Sequence, residues 1–419
     1  MNQIVLKELI SLTKGKKPQT ITSDEPIGFL PYVDIKAFET NIIEKYTDGE
    51  KCIECNDGDL LIVCDGSRSG LIGKAVKGYV GSTLARIDCD SRIDKDYLYY
   101  FIQSKYMLLN SNVKGTGTPH LKQDLLKSFS LILPSIEKQK QIVKQIEESL
   151  SQLDSAVETL NKTKQQLEIY RQAVLKEAFS GELTKPWRDK HSNADATIDY
   201  VQPSGTYKLL ADFILYDLPQ GWKWVHIGDI TKGTEYGTSQ KSLKCGKVPV
   251  IRMGNLQNGI IDWADLSYSN DDNEIQKYQL KYGDVLFNRT NSPELVGKTA
   301  IYKGERKAIF AGYLIRINQI ESINSDYLNY YLNSQTARAY GNKVKTDGVN
   351  QSNINGKKLC TYPFPICSRA EQDQVVYELK SRLSMCDYIE DTVNQSLQQA
   401  EALRQSILKQ AFEGNDGKE

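Results

Sequence analysis

The sequence predicts an α/β (α+β) protein in which a globular domain followed by a long helix occurs twice in tandem. The segment Arg171–Gly181 returns as Arg404–Gly414, 233 residues later. Upstream, Gly58-Asp-Leu-Leu61 returns as Gly283-Asp-Val-Leu286 at a similar spacing. A repeat of this length indicates a duplicated domain rather than a solenoid unit. We therefore expect a pseudo-two-fold symmetric chain that can meet a two-part target as a homodimer would.

The predicted boundaries follow the duplication, and the two occurrences are called copy one and copy two below. Between them, a polar stretch with Pro186 and Pro203 is typical of an irregular linker. The predicted segments are a globular domain over 1–133, a long helix over 134–182, the linker over 183–217, a globular domain over 218–365 and a long helix over 366–414.

Both long helices carry apolar residues at alternating steps of three and four, which is the pattern of a coiled-coil seam. We expect the two helices to pack antiparallel against each other, with the charged seam residues Lys164, Arg171, Glu390 and Arg404 fixing the register. The alternative is that each helix packs only on its own globular domain. The predicted apolar seam positions are Val143, Ile146, Leu150, Leu153, Val157, Leu160, Leu167, Val174, Val376, Leu379, Leu383, Val393, Leu397 and Ile407.

Shorter patterns predict mixed structure in each globular domain. Leu60–Cys64 and Val285–Phe287 follow Gly-Asp turns and are expected to form buried strands. Ile251–Leu256 predicts a strand and then a turn. Asp96–Leu109 and Asp326–Tyr340 predict helices, each opened by an Asp near the N-cap position.

Composition narrows the class of protein. A hydrophobic content of 40% and a charged content of 25% are typical of a globular protein, and no apolar run approaches the ~18 residues of a membrane span. We expect a cytoplasmic chain without a membrane partner. The net charge is zero, yet residues 218–365 hold 19 Lys and Arg against 13 Asp and Glu, whereas residues 1–133 hold 17 of each. This balance favours a polyanion-binding surface in copy two, although a bias of this size is also typical of an ordinary solvated face.

Catalytic and metal-binding patterns are missing from the sequence. Cys52 and Cys55 form an isolated CxxC pair, which we interpret as reduced thiols because no second ligand pair accompanies them. Val296-Gly-Lys-Thr299 resembles the end of a phosphate-binding loop, but Ser292 stands where that loop needs glycine. We therefore expect no metal site, no nucleotide site and no catalytic residues in this chain.

Two polar loops recur in each copy and are the candidate site. The first loop follows the Gly-Asp strand, at 65–70 in copy one and 288–293 in copy two, and the second precedes the long helix, at 114–120 and 345–352. Their side chains are of the types that contact base edges and phosphates, although ordinary turns have a similar composition. Arg68 and Arg289 are the best candidates for guanine contacts or groove insertion. The candidate DNA-binding residues are Ser67, Arg68, Ser69, Lys74, Lys114, Thr116, Thr118, His120, Asn288, Arg289, Thr290, Asn291, Lys298, Lys345, Asn350 and Gln351.

The order of these motifs resembles one family. Leu133-Pro-Ser-Ile-Glu-Lys-Gln139, Leu175-Lys-Glu-Ala-Phe-Ser-Gly181, Leu218-Pro-Gln-Gly-Trp222 and Leu408-Lys-Gln-Ala-Phe-Glu-Gly414 are similar to motifs of the specificity subunits of type I DNA restriction–modification enzymes. The resemblance covers essentially the whole chain.

The resemblance implies two target recognition domains, each reading one half of a bipartite site in double-stranded DNA. It implies that the helices set the spacing between the half-sites and dock two methyltransferase subunits, which carry S-adenosylmethionine. A separate restriction and translocase subunit would use ATP and Mg²⁺, so that this chain would bind no cofactor. The alternative is a coiled-coil scaffold that binds proteins and has no DNA sequence preference.

Overall fold

The computed structural model describes residues 3–114, 119–191, 205–210 and 213–413. The chain divides into two compact units. Unit 1 combines the residues up to Lys162 with those from Val393 onward, and unit 2 spans Thr163–Thr392. Each unit therefore contains the globular part of one copy together with parts of both long helices.

The globular part of unit 1 is built from short strands in one antiparallel sheet and one mixed sheet. The first sheet has the strand order β2-β9-β6-β7, the second has the order β4-β3-β8-β5, and β1 pairs with β10. The strands are β1 (Gln3–Val5), β2 (Ile10–Lys14), β3 (Leu30–Val33), β4 (Tyr46–Thr47), β5 (Glu54–Cys55), β6 (Leu60–Val63), β7 (Ile72–Lys74), β8 (Gly78–Val80), β9 (Leu84–Cys89) and β10 (Ser130–Ile132). The helices are α1 (Ile35–Thr40), α2 (Lys95–Ser104), α3 (Tyr106–Ser111), α4 (Gln123–Ser128) and the first part of α5 (Ile136–Phe179).

Unit 2 has a larger sheet, in the order β12-β21-β17-β19-β15-β14, and two three-stranded sheets, β16-β13-β20 and β18-β23-β22, while β11 pairs with β24. The strands are β11 (Lys223–His226), β12 (Thr231–Tyr236), β13 (Val248–Ile251), β14 (Leu256–Gln257), β15 (Gly259–Ile261), β16 (Ser267–Ser269), β17 (Val285–Asn288), β18 (Thr290–Asn291), β19 (Thr299–Ile301), β20 (Ile309–Phe310), β21 (Leu314–Gln319), β22 (Thr346–Asp347), β23 (Ser352–Asn353) and β24 (Pro363–Ile366). The helices are α6 (Lys185–Lys190), α7 (Asp272–Tyr278), α8 (Ser325–Leu332), α9 (Gln335–Val344), α10 (Gly356–Cys360) and the first part of α11 (Arg369–Glu413). Short 3₁₀ turns lie at Leu6–Glu8, Ile227–Ile230 and Met253–Asn255.

The mixed fold class and the two long helices are confirmed, whereas four local predictions are wrong. The region expected to form one helix over Asp96–Leu109 contains two, because the chain breaks at Lys105. Its counterpart in copy two likewise divides into α8 and α9. The N-cap of α2 is Asp94 rather than Asp96, and the linker expected to be irregular contains α6, which has a proline in its first turn.

The predicted antiparallel packing of the long helices is confirmed, and the ion pairs between them show its direction. In unit 2, Arg171 pairs with Asp387 at 2.7 Å, and further along α5 Glu177 lies 3.6 Å from Arg382, which comes earlier in α11. In unit 1, Asp154 pairs with Arg404. The partner number falls along α11 as the residue number rises along α5, which is the signature of antiparallel helices.

The predicted seam positions differ from their neighbours in burial. Along the middle of α5, from Asp154 to Ala173, seam residues are half-buried and most other residues are exposed, so a narrow stripe holds the helices together here. Lys164 is exposed, in contrast to the half-buried Arg171, Glu390 and Arg404. The buried seam residues are Val143, Ile146, Leu150, Leu153, Val174, Val376, Leu379 and Val393, and the half-buried ones are Val157, Leu160, Leu167, Leu383, Leu397 and Ile407.

The end of each long helix packs into the globular part of the other copy. Phe179, near the end of α5, is fully buried and makes edge-to-face contacts with Tyr327 and Tyr331 of α8, with ring centroids 5.2 Å apart in both cases. In unit 1, Phe412 of α11 contacts Tyr97 and Phe101 of α2 at 5.1 and 5.4 Å. The four contacts correspond under the repeat. Such aromatic pairs add about 0.5–1.5 kcal/mol each beyond the area that they bury.

The beginning of each long helix is fixed by a buried glutamine. Gln139 accepts a hydrogen bond from the backbone N–H of Asp94 at 2.7 Å and donates to the carbonyls of Arg92 and Pro134. Its counterpart Gln372 accepts from the N–H of Asn324 at 2.8 Å and also donates to two carbonyls. Each amide thus both accepts and donates hydrogen bonds, and it attaches its long helix to the N-cap residue of α2 or α8.

No helix in the described part of the chain is both long and apolar enough to cross a membrane.

Candidate nucleic-acid interface

In copy one, the two polar loops lie side by side. Gly66 in the loop after β6 donates its backbone N–H to the carbonyl of Pro119 at 2.8 Å, and Asp65 and His120 form an antiparallel bridge. The sharp turn needs glycine at Gly70, where φ is +94° and a Cβ would lie 2.8 Å from the Cβ of Leu109. Two segments that are about fifty residues apart in sequence therefore form one surface.

A charged cluster holds these two loops together. Asp65 accepts hydrogen bonds from the Lys14 ammonium at 2.8 Å and pairs with Nδ1 of His120 at 2.7 Å. Burial alone would raise the pKa of Asp65, but the hydrogen bonds and positive charges of Lys14 and His120 outweigh burial, so the pKa lies below its ordinary value. The carboxylate stays ionised and joins β2, through Lys14, to both loops.

The three consecutive candidates of the first loop differ in exposure. Ser67 and Arg68 are exposed, and the Arg68 guanidinium lies 3.6 Å from the Glu39 carboxylate. Ser69 is fully buried, and its hydroxyl donates to the Gly66 carbonyl at 2.8 Å. The expectation that Ser69 faces DNA is therefore wrong for this structure, because its hydroxyl closes the turn that presents its neighbours.

The remaining candidates of copy one are Lys74, Lys114, His120, Thr116 and Thr118. The first three are exposed, and Lys74 pairs with the carboxylate of Asp96 at 2.7 Å. Thr116 and Thr118 lie outside the described residues. Carboxylates thus compensate Arg68 and Lys74, which agrees with the even charge balance of this half of the sequence.

In copy two, the corresponding loops form a small sheet. β22 and β23 make a hairpin whose tip is 348–351, and β23 pairs with β18, so that Thr290 faces Asn353 across the strands. The Asn353 amide donates to the hydroxyl of Thr290 at 2.7 Å. Asn350 and Gln351 are exposed at the tip of the hairpin beside a fully exposed Val349. This tip presents two amide side chains, which are the groups that can pair with an adenine edge.

Asn288 does not belong to this exposed surface. It is fully buried at the end of the central strand β17, and its amide nitrogen lies 3.5 Å from the Leu295 carbonyl that accepts its hydrogen bond. The expectation that Asn288 contacts DNA is therefore wrong for this structure, because all four residues of β17 are buried. The neighbouring candidates Thr290 and Asn291 are half-buried within β18.

The candidate DNA-binding cations of copy two have fewer carboxylate partners than those of copy one. The Lys298 ammonium donates to the side-chain oxygen of Gln257 at 3.3 Å, and burial together with the nearby positive charge of Arg338 lowers its pKa. Lys345 donates to the carbonyl of Pro293 and lies 3.6 Å from Asp347. A phosphate nearby would relieve the repulsion between Lys298 and Arg338.

A tyrosine that sequence reasoning missed lies under the principal candidate of copy two. The Arg289 guanidinium stacks over the ring of Tyr236, with 4.8 Å between the guanidinium carbon and the ring centroid. Tyr236 ends β12, more than fifty residues before Arg289, and no spacing rule joins the two. The only signal in the sequence is an aromatic residue at the end of a strand, which is too common to identify a partner.

Comparisons with known proteins assign this architecture to a family. The family model for the type I restriction modification DNA specificity domain matches residues 1–169 and 219–399, which is most of the chain in two regions. The chain belongs to this family, as the order of its duplicated motifs predicts.

Among characterised relatives, the chain is 27% identical to the type I restriction enzyme MjaVIII specificity subunit of Methanocaldococcus jannaschii, over 89% of this chain and 84% of the relative. It is 26% identical to the EcoKI specificity subunit of Escherichia coli, over 85% and 74%.

Solved structures share the fold. A chain described in work on complex assembly and conformational transition of the type I R-M system aligns with a TM-score of 0.70 and 18% identity, covering 98% of this chain and 97% of that one. The HsdS subunit from Thermoanaerobacter tengcongensis aligns with a TM-score of 0.52, 18% identity and coverage of 99% and 97%.

Proposed function

We propose that this chain is the DNA specificity subunit of a type I restriction–modification assembly, with each globular part reading one half of a bipartite site in double-stranded DNA. The observation that carries the proposal is the recurrence, in both copies, of two polar loops held side by side. In copy one the bridge between Asp65 and His120 joins them, and in copy two the ladder between β18 and β23 does so. The positions correspond while the side chains differ, as two readers of different sequences require.

The loops carry the two kinds of group that DNA binding needs. Exposed cations such as Lys74 and Lys114 can contact phosphates, which supply affinity without sequence preference. The exposed amides of Asn350 and Gln351 can contact base edges, which supply preference. The greater positive charge of copy two makes it the stronger source of phosphate binding.

The long helices have a different role in this proposal. They set the distance between the half-sites, and they offer docking surfaces to two methyltransferase subunits that hold S-adenosylmethionine and modify adenine. A restriction and translocase subunit would supply the ATP- and Mg²⁺-dependent steps. Catalysis would belong to these partners, and this chain would act in the cytoplasm as the non-catalytic component that selects the DNA site.

The test is single-molecule sequencing of modified bases in the DNA of producing cells, with the gene intact, deleted and restored. We expect adenine methylation at one split motif that disappears on deletion and returns on restoration. As a matched control, deletion strains receive a chain in which the 65–70 loop is replaced by alanine and glycine, which should alter one half of the motif only. An unchanged methylome in cells with active partner subunits would favour the protein-binding scaffold instead.

A further inference from the structure

We propose that Arg289 reads a guanine in the half-site bound by copy two, and that Tyr236 is the positioning residue that fixes the plane of the Arg289 guanidinium. This inference rests on the proposed function. It specifies one base pair of the DNA site and the two residues that would select it.

The sheet of unit 2 explains why these two residues meet. Strands β12 and β17 both pair antiparallel with β21, and Tyr236 and Phe287 lie opposite the same residue, Ile315. The two strands therefore run in the same direction and end at the same edge of the sheet. Tyr236 is the last residue of β12, and Arg289 follows the last residue of β17.

Both members of the pair are anchored. The hydroxyl of Tyr236 accepts a hydrogen bond from the backbone N–H of Gly356 at 2.9 Å, which fixes the ring at its polar end. The backbone of Arg289 donates to the carbonyl of Tyr313 at 3.0 Å and accepts from the N–H of Ile354 at 2.8 Å. A guanidinium stacked on an anchored ring has a defined plane, and its N–H donors lie in that plane.

The charge of Arg289 is unmatched in the described part of the chain. No carboxylate there forms an ion pair with its guanidinium, and its Nε is buried without a hydrogen-bond partner. Arg68 of copy one instead lies 3.6 Å from Glu39, and the buried Arg316 of the same sheet pairs with Glu235 and Asp284. An arginine with a fixed plane and no carboxylate partner suits a ligand whose hydrogen-bond acceptors lie in a fixed geometry.

The neighbouring groups favour a base over a phosphate as that ligand. Arg289 lies on the ladder that holds the hairpin, because its carbonyl accepts the N–H that directly follows β23. The hairpin carries the exposed amides of Asn350 and Gln351. A phosphate also accepts two planar donors from arginine, so the plane of the guanidinium does not decide between the two ligands. The amides of Asn350 and Gln351 can pair with base edges, and their place on the same ladder favours the O6 and N7 acceptors of guanine as the ligand of Arg289.

The test uses the full chain in the assembly purified from producing cells, and a duplex DNA library with both half-sites randomised. The wild-type assembly is expected to select a split sequence with a G·C pair at one position of one half. Arg289→Gln should reduce discrimination at that position roughly 5- to 150-fold, with the other positions unchanged. Arg289→Lys should do the same, because lysine keeps the charge but lacks the planar pair of donors.

Variants of Tyr236 test the positioning role. Tyr236→Leu removes the stacking surface and should lose most of the same discrimination, whereas Tyr236→Phe keeps the ring and should retain it. If Tyr236→Leu lowers the melting temperature of the chain, that variant is set aside. The discrimination lost in Arg289→Lys is then compared with the discrimination kept in Tyr236→Phe. Arg306→Gln is the matched control, because Arg306 also stacks on an aromatic ring, 4.5 Å from the centroid of Trp263. Arg306 comes after β19, which runs antiparallel to β17, so the end of β19 that it follows is opposite to the end of β17 that Arg289 follows. This variant should leave every position unchanged.

The outcomes separate the two proposals. If the wild-type assembly selects no split sequence, the proposed function itself fails. If a split sequence is selected and Arg289→Gln weakens all duplexes by the same factor, Arg289 contacts a phosphate and the guanine assignment is overturned. Full discrimination in a folded Tyr236→Leu chain would overturn the positioning role of the tyrosine.

Discussion

Arg171 of the first long helix pairs with Asp387 of the second, with 2.7 Å between the guanidinium nitrogen and the carboxylate oxygen. Under the repeat spacing of 233 residues, Arg171 corresponds to Arg404 and Asp154 corresponds to Asp387. The corresponding pair, Arg404 with Asp154, is also formed. The same interaction therefore occurs in each compact unit, with the roles of the two helices exchanged.

We expect the two ion pairs to contribute unequally to stability. Arg171 is less exposed than Arg404 and has a second carboxylate partner, Glu390, at 3.0 Å. Arg171→Ala should therefore lower the free energy of unfolding by about 1 kcal/mol and Arg404→Ala by less, because both pairs are partly screened by solvent. Urea titrations of double-mutant cycles with the respective aspartates would measure both couplings, with Lys176→Ala as a control on the same helix. Equal and negligible couplings would contradict this expectation.

The coiled-coil seam should not tolerate a charge. Leu153 is 8% exposed, whereas its neighbour Gln152 is exposed. Leu153→Glu places an unpaired carboxylate in the seam and should cost several kcal/mol, with loss of the assembly. Gln152→Glu introduces the same carboxylate one position away, on the exposed side of the helix, and should have little effect. Thermal melts followed by circular dichroism, together with size-exclusion chromatography, compare the two, and equal behaviour would remove Leu153 from the seam.

Truncation of the phenylalanine near the end of each long helix should affect different units. Phe179 is 1% exposed, and Phe179→Ala should cost about 3–5 kcal/mol, because a large cavity is left among Tyr327 and Tyr331. Phe412 is only half-buried, so that Phe412→Ala should cost less. Hydrogen exchange would locate the change in α8 for the first variant and in α2 for the second. Exchange that rises equally in both helices would contradict a local effect.

Lengthening the helices should change the spacing of the half-sites and leave their bases unchanged. Insertion of seven residues in each helix, after Leu160 and after Val393, preserves the seam because one heptad is added. Seven residues extend a helix by about 10 Å, which corresponds to roughly three base pairs. Methylome sequencing should reveal a longer gap between the same half-sites. Insertion into one helix only is the control and should disrupt assembly, and altered half-site bases would refute the spacer role.

Acid should loosen the loops of copy one through Asp65. Its folded-state pKa lies below the ordinary value of about 3.9, so its contribution to stability is complete above that pH and is lost as the pH falls through the folded-state pKa. Asp65→Asn should therefore show a smaller loss of stability between about pH 4 and the folded-state pKa than the wild type. Chemical denaturation across this range measures the difference. Identical slopes in the two proteins would show that the cluster with Lys14 and His120 does not stabilise the ionised form.

Periodicity made the long helices and their partnership predictable. A strict alternation of three and four steps defines the buried stripe before any coordinates are known, and burial at Leu150 and Val376 follows from it. The two strands after the Gly-Asp turns were equally predictable, because a short apolar run that follows a turn is typical of a buried strand, and these runs form β6 and β17. The break at Lys105 was not predictable, since the local sequence continues in a helical pattern across it.

The candidate loops show the same division. Their composition identified the polar segments, but composition cannot distinguish Ser67, which is exposed, from Ser69, whose hydroxyl closes the turn. Nor could it show that Asn288 is buried at the end of a central strand. In both cases the side-chain direction depends on the local backbone, and the residue type is compatible with either outcome.

The sequence by itself determined the duplication, the two long helices with their seam, and the family. These features are repeats and regular spacings of residues along the chain, which can be identified without the folded structure. Tertiary structure alone decided that each helix ends against the other copy, and that Tyr236 meets Arg289 at one edge of a sheet. Those relationships join residues that are far apart in sequence. They depend on strand order and on which helices pair, and these are properties of the folded chain that no local pattern encodes.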